Sequence, residues 1–332
     1  MAKMKIGING FGRIGRVFFR AAFQKCEITG INSLDDLDQM VHLLKYDSSH
    51  GIFDAEVSHD GENMIVNGKK IPVSKSKDPG QIPWQKWGVD LVMECTGALK
   101  GKEDYQKHIN AGAKKVMISA PADGVDLTVV FGVNHTQYNS GTHTFVSNAS
   151  CTTNCLAPLA KVLNDQFKIL QGTMMTIHSY TSDQRILDSG HKDLRRARTA
   201  GVSMIPTTTG AAKTVGLIIP ELKGKLDGLS VRVPTPNVSL VDFTFNTEKD
   251  ITVASINAAL KNAAANELKG VLAYEEKELV SIDYNGNKYS SIVDAKTTMT
   301  VGPRMGKVLS WYDNEVGFSN RMVDMALYMM NQ

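Results

Sequence analysis

The chain has only four cysteines in 332 residues. That is too few for a disulfide framework and suits a reducing compartment. It has no CxxC: Cys151 and Cys155 are spaced as CxxxC, with no matching Cys/His pair at ligand spacing. A dithiol redox centre and a structural zinc site are therefore not expected, and no metal is assigned. No apolar run approaches the length of a membrane-spanning helix. The beginning of the chain reads into a strand without the pattern of a secretory signal. These absences lead us to expect a cytoplasmic chain with no membrane partner. Net charge is only +3 and no RNA-binding motif is visible, so nucleic acid is not expected as a primary partner. Internal repeats, low-complexity tracts and disordered linkers are also lacking. With 42% apolar and 21% charged residues, the composition is that of a globular protein long enough for two domains with full cores.

The most informative segment present is Ser147-Asn148-Ala149-Ser150-Cys151-Thr152-Thr153-Asn154-Cys155. An apolar run at helical spacing (Leu156, Leu159, Val162, Leu163) follows at once. Ser150, Thr152 or Thr153 would cap that helix and place Cys151 near its N-terminus. Unpaired amides and the positive end of the helix dipole favour a thiolate there, ready to attack an electrophilic carbon. A free cysteine is more commonly a small core residue. That reading suits Cys26, Cys95 and Cys155, which lie on apolar strands or helices.

In the first half, Met4 to Asn9 alternates as a strand and runs into Gly10-Phe11-Gly12-Arg13-Ile14-Gly15. A helix over Arg16 to Gln24 and a strand over Glu27 to Asn32 follow. A GxGxxG in this βαβ setting is the dinucleotide fingerprint: Gly10 for the tight turn, Gly12 for close approach of the pyrophosphate, Gly15 for helix–strand packing. Further strands are expected over Val89 to Gly97, Ala113 to Pro121, Leu127 to Phe131 and Thr144 to Ser147, with a helix over Lys102 to Ala111. Repeated strand–helix alternation implies a doubly wound parallel sheet whose ligand lies at the carboxyl ends of its strands, among them Thr96-Gly97 and Ser119-Ala120. An NAD site ordinarily ends its second strand with an acid. Here that place is Asn32-Ser33, and Asp35 and Asp36 come two residues later. Serine carries no charge to repel a 2′-phosphate, so NADP is expected to be tolerated.

The second half holds a strand, Thr173 to Thr181, ending in His178 among hydroxyls. A lone histidine is usually structural or exposed. Paired with Cys151 it would activate the thiol and move a proton, although sequence does not show that the two touch. Three segments suit anions. Pro206 to Lys213 is a hydroxyl-rich turn entering a helix. Leu194 to Arg198 is either a guanidinium cluster for phosphate or a solvated basic face. Arg232, flanked by two valines, needs a partner or a ligand.

With these residues in view, the chain resembles the phosphorylating glyceraldehyde-3-phosphate dehydrogenases over essentially its whole length. The similarity is carried by Asn9 to Arg16, Leu44 to Ser48, Ser147 to Cys155, His178 to Thr181, Pro206 to Lys213 and Trp311 to Glu315. The resemblance implies an α/β fold: a Rossmann-type doubly wound parallel sheet in residues 1–150, then an α+β catalytic domain with a mixed or antiparallel sheet in 151–314. A C-terminal helix, 315–332, would return to the first domain. It implies that Cys151 attacks the aldehyde and His178 takes the proton, and that inorganic phosphate releases the acyl group. Substrate phosphate would lie near Thr181 and Arg232, and attacking phosphate near Ser150, Thr152, Arg196, Thr209 and Gly210. NAD or NADP would be met by Gly10, Gly12, Arg13, Ile14, Ser33, Lys77, Ser119 and Asn314. The assembly would be a homotetramer, with the loop from about Ser179 to Ala200 at an interface.

Two departures from the family pattern agree: Ser33 in place of an acid, and Ser189-Gly190 in place of a Leu-Pro pair. Lys77 also stands where many members have arginine. Erythrose-4-phosphate dehydrogenase is the alternative activity. A nucleic-acid-binding role or a redox-sensing thiol would be secondary.

Overall fold

A computed structural model describes residues 4–332, which form two compact units: 4–129 with 135–149 and 319–332, and 130–134 with 150–318. In the first unit a nine-stranded sheet runs in the order Leu127–Thr128, Phe145–Ser147, Lys115–Ile118, Leu91–Glu94, Lys5–Asn9, Glu27–Asn32, Lys69–Ser74, Asn63–Val66, Val57–His59. Every pair up to Lys69–Ser74 is parallel. The last two pairings are antiparallel and form a hairpin-like edge. The sheet's interior strands carry apolar runs at their centres, as Leu91-Val92-Met93 shows, because helices and loops cover both faces.

Strand Lys5–Asn9 has its successor Glu27–Asn32 on one side and Leu91–Glu94 on the other. It therefore marks the point where the strand order reverses, and the turn at its carboxyl end is the natural ligand crevice. Gly10 turns there at φ 90°, where a Cβ would press to 2.8 Å from the Thr96 backbone nitrogen. A Cβ on Gly15 would run into the Gly10 carbonyl oxygen. The helix spans Arg13–Ala22, starting earlier than the expected Arg16. The fingerprint residues Arg13, Ile14 and Gly15 already form its first turn, a boundary that apolar periodicity does not mark.

The second unit is built on an eight-stranded mixed sheet. Its path is Ile205–Thr208, Leu226–Val233, Ile169–Ser179, Ser239–Thr247, Met305–Tyr312, Ser291–Asp294, Leu272–Glu275, with Met299–Val301 added against Met305–Tyr312. Two pairings are parallel and the rest antiparallel. Strand Ser239–Thr247 alternates buried and half-buried residues without a break, the signature of a sheet covered on one face. Helix Cys151–Phe167 packs on that face against Ser239–Thr247 and Ser291–Asp294, flanked by helices Ala211–Ile218 and Val253–Ala265. On the strands Leu170, Met175, Leu229 and Met305 remain exposed. The expected fold class is the one observed.

One expectation is corrected. Pro206 to Thr208 is not a turn but part of an edge strand, antiparallel to Leu226–Val233; the helix begins only at Ala211. Threonines favour a pleated edge where packing permits, and partner strand Leu226–Val233 supplies it.

Candidate active site and dinucleotide cradle

Cys151 is the first residue of helix Cys151–Phe167. Among the three capping candidates it is Ser150 whose Oγ accepts the Thr153 amide, at 3.0 Å. Cys151 Sγ lies 3.4 Å from His178 Nε2, which settles that the two residues meet. His178 is buried, held through Nδ1 by the Ser179 carbonyl at 2.7 Å and by Arg232 Nη1 at 2.9 Å. His178 and Arg232 are register partners on adjacent parallel strands, so sheet pairing sets their contact.

The two Nδ1 neighbours demand opposite tautomers. Donation to the Ser179 carbonyl leaves Nε2 as a base toward sulfur, whereas acceptance from Arg232 places an N–H there instead. Arg232 also donates to the Ser179 carbonyl at 3.1 Å, and its Nε is buried without a hydrogen-bond partner. The cation expected to need a partner or ligand thus has a partner on one side of its guanidinium and an unmet donor on the other.

Burial dominates the electrostatics. It pushes the Cys151 thiol up from its ordinary value, while the Arg232 charge, the Thr152 hydroxyl and amide, and Cys151's own amide pull it back. The helix amides and Arg232 act on the sulfur in the expected direction, favouring a thiolate, and desolvation works against them. Burial, helped by Arg232, holds His178 down at about 3, against the Ser179 carbonyl. Burial also lowers Arg232, and Cys151 opposes it. Burial thus works toward the neutral form of both groups, and Arg232 opposes it at the sulfur.

The other expected anion residues belong to the same unit, each with its own partners. The Thr152 hydroxyl is taken by Tyr312 at 2.9 Å, and Tyr312 in turn binds Thr176 at 2.8 Å. The Thr181 amide donates to Gln184 Oε1 at 3.2 Å, and its carbonyl accepts the Gln184 amide at 2.9 Å. Arg196 is ion-paired to Asp183 and, at 3.4 Å, to Asp193, yet its charge still lowers Arg232. Arg198 is paired to Asp188, so the basic run is partly neutralised. Thr209 Oγ1 caps the Ala211 amide at 3.2 Å, with Gly210 at the cap position. Asn314 Oδ1 accepts Ser179 and Ser239 hydroxyls, both at 2.9 Å, leaving Nδ2 as the donor these bonds do not use.

In the first unit the residues fit a dinucleotide. Helix Arg13–Ala22 has no side-chain cap and no acid in its first turn, and a Cβ added at Gly12 would enter open space. An open N-terminus of this kind suits a pyrophosphate. Arg13 is paired to Asp47 at 3.2 Å, and Ile14 is half-buried. Ser119 bonds toward the Cys95 thiol. Asn32 straps the following loop down through both backbone groups of Ser76, at 2.9 Å each, which sets Lys77 beside the end of the second strand. Ser33 is buried, and its Oγ lies 3.3 Å from Asp35 Oδ2. The sequence spacing set Asp35 aside as too late, but the chain turns so that its carboxylate reaches the serine.

Residues 4–102 match the glyceraldehyde 3-phosphate dehydrogenase NAD binding domain, and residues 150–314 match the C-terminal domain of the same enzyme. The glyceraldehyde-3-phosphate dehydrogenase of Geobacillus stearothermophilus is 58% identical over 331 residues, 99% of each chain. Glyceraldehyde-3-phosphate dehydrogenase 1 of Bacillus subtilis is 58% identical over 328 residues, 98% of each. Glyceraldehyde-3-phosphate dehydrogenase 2 of a Nostoc species is 52% identical over 328 residues, 97% of each. The chain belongs to the glyceraldehyde-3-phosphate dehydrogenase family.

Sequence reasoning missed two polar networks in this family member. At the strand ends of the first unit, Glu94 is buried and accepts Asn9 Nδ2 at 2.6 Å, the Thr96 amide at 2.9 Å, the Thr96 hydroxyl, and His108 Nε2 at 3.1 Å. Trp84 Nε1 donates to His108 Nδ1 at 2.9 Å, which assigns the histidine proton to Nε2. In the second unit Tyr312 ties Thr152 to Thr176, and its ring and that of His178 lie in a T-shaped contact. A glutamate at the end of an apolar strand was the available signal for the first network; Thr152 and Tyr312 of the second lie in segments that carried the resemblance, but residue order gave no sign that they meet. Among the described residues no cluster of His, Cys, Asp and Glu is placed to hold a metal, and no helix is long and apolar enough to cross a membrane.

Proposed function

We propose that the protein oxidises D-glyceraldehyde 3-phosphate with NAD or NADP and inorganic phosphate to 1,3-bisphosphoglycerate. The observation that carries this reading is the Cys151–His178 contact at 3.4 Å, with Arg232 on the far ring nitrogen. Sulfur of Cys151 bonds to the aldehyde carbon, and its proton passes through His178 to the carbonyl oxygen, giving a hemithioacetal. The Cys151 amide and His178 face that oxygen and stabilise its charge. His178 then removes the hydroxyl proton as the carbon loses hydride, leaving a thioester on Cys151. Bound nicotinamide supplies the hydride acceptor. Phosphate attacks the thioester carbon, the carbon–sulfur bond breaks, and the acyl phosphate leaves with the sulfur restored.

The unmet donor of Arg232, with Thr181, would take the substrate phosphate. Ser150, Thr152, Arg196, Thr209 and Gly210 would take the attacking one. Gly10, Gly12, Arg13, Ile14, Ser33, Lys77 and Ser119 would hold the dinucleotide, and Asn314 Nδ2 its carboxamide. Residues 1–150 with the helix 315–332 form the cofactor domain in this reading, and 151–314 the catalytic domain. The exposed apolar residues Leu170, Met175, Leu229 and Met305, with Ile186, Leu187 and Leu194, would be covered in a homotetramer. The enzyme would work in the cytoplasm, in glycolysis or gluconeogenesis.

Steady-state rates with each cofactor, with and without phosphate, on the three-carbon aldehyde and on erythrose 4-phosphate, test the proposal. Phosphate-dependent turnover of the three-carbon aldehyde, with measurable NADP use, is expected. Faster oxidation of erythrose 4-phosphate would replace the substrate assignment, and a preference for NAD above a thousandfold would reject NADP tolerance. Ser33→Asp should selectively weaken NADP.

A further inference from the structure

In a dinucleotide-binding βαβ unit, an acid near the end of the second strand binds the ribose 2′-hydroxyl and opposes a 2′-phosphate. This chain has Ser33 there, immediately after Asn32. Ser33 is fixed in place: it is buried, and its amide donates to the Ser74 carbonyl at 3.1 Å. Its Oγ donates to Asp35 Oδ2 and accepts the Asp35 amide, both at 3.3 Å. Three carboxylates lie close together after the strand, and their partners differ. Asp36 is paired with Lys75 at 2.5 Å, and Asp38 meets His59 at 2.9 Å. Asp35 has no cationic partner among the described residues; its one side-chain bond is to Ser33. An unneutralised negative charge is thus tied to the serine that occupies the missing acid's position, two residues further along the chain.

Resting on the dinucleotide reading above, we infer that Asp35, tethered by the Ser33 hydroxyl, is the specificity-determining residue that keeps NAD favoured over NADP. Ser33 removes the carboxylate from the strand end itself, which admits the 2′-phosphate. Asp35 returns one negative charge a short distance out, at the surface. Repulsion between a carboxylate and a phosphate dianion at about 5 Å, in a water-like dielectric, costs on the order of tenfold in affinity. Such a penalty at an exposed site weakens with salt.

The test is calorimetric titration of the full-length protein with NAD+ and with NADP+, in wild type, Asp35→Asn and Asp36→Asn, at low and high salt. Asp35→Asn is expected to lower the ratio Kd(NADP)/Kd(NAD) about tenfold, mainly by tightening NADP, with the gain shrinking at high salt. Asp36→Asn, whose charge Lys75 already opposes, should move the ratio less than about twofold. Asp35 is exposed, so the variant should melt as wild type does. An unchanged ratio in Asp35→Asn, or an equal change in Asp36→Asn, overturns the inference. If wild type binds no NADP and Asp35→Asn gains it, the inference stands and NADP tolerance falls. If wild type binds neither cofactor, the dinucleotide reading itself falls.

Discussion

Cys151 and Cys95 share much and differ in one decisive respect. Each lies shortly after the carboxyl end of a strand, each is partly accessible, and burial is the largest influence on both thiols. What stands next to them has opposite sign. Cys95 adjoins Glu94, whose charge reinforces burial and pushes the thiol up to about 12. Cys151 adjoins Arg232 and the first amides of a helix, which work against burial. The thiol of Cys155, one turn further along the helix, meets the Ser291 hydroxyl and the Ser310 carbonyl and also reaches about 12. The proposed nucleophile is thus distinguished from the other cysteines by compensating charge and a proton acceptor, more than by exposure.

The comparison can be broken most directly by removing the sulfurs. Cys151→Ser should cut aldehyde oxidation by more than about a thousandfold, whereas Cys95→Ser should change it by no more than about threefold. Comparable losses in both would erase the distinction. His178→Asn should lower kcat by about a hundredfold or more, measured at saturating substrate, because it removes the only base in contact with the thiol among the described residues. Arg232→Leu sharpens the point about charge. It should move the pH midpoint of iodoacetamide alkylation of Cys151 upward and raise KM for the phosphorylated aldehyde about tenfold. An unmoved midpoint would show that Arg232 does not act on the sulfur.

The pH dependence of stability follows from His178. Its folded value of about 3 lies below the ordinary 6.5, so below about pH 6.5 the unfolded chain binds a proton the folded chain refuses. Stability from this residue is intact above pH 6.5 and is lost progressively as pH falls toward 3. Denaturant melts across that range should show a shallower slope for His178→Asn. The smallest expected effect lies in the first unit. Glu94→Gln should cost about 1–3 kcal/mol by setting an amide donor against the donors of Asn9, Thr96 or His108. Cofactor turnover per folded molecule should fall far less than in the Cys151 variant.

Much of this was legible because short-range chemistry writes itself into local sequence. The fingerprint glycines, the capped cysteine segment and the alternation of strands such as Ser239–Thr247 each express a constraint between residues near in the chain. A capping hydroxyl, a positive φ and a two-residue period need no distant partner. Boundaries were less legible. Pro206-Thr207-Thr208 reads as a loop until Leu226–Val233 is beside it, and Arg13 reads as a turn until Gly15 is packed on Gly10.

The sequence by itself determined the two sheets, the family and which cysteine stands at the start of a capped helix, because those rest on periodicity and on contiguous motifs. Only the tertiary structure decided that His178 and Arg232 share one ring nitrogen, that burial raises the Cys151 thiol, and that Asp35 reaches back to Ser33. Each of these depends on residues brought together by strand register or by a turn, and on the loss of solvent around them. Desolvation and through-space charge have no signature in residue order.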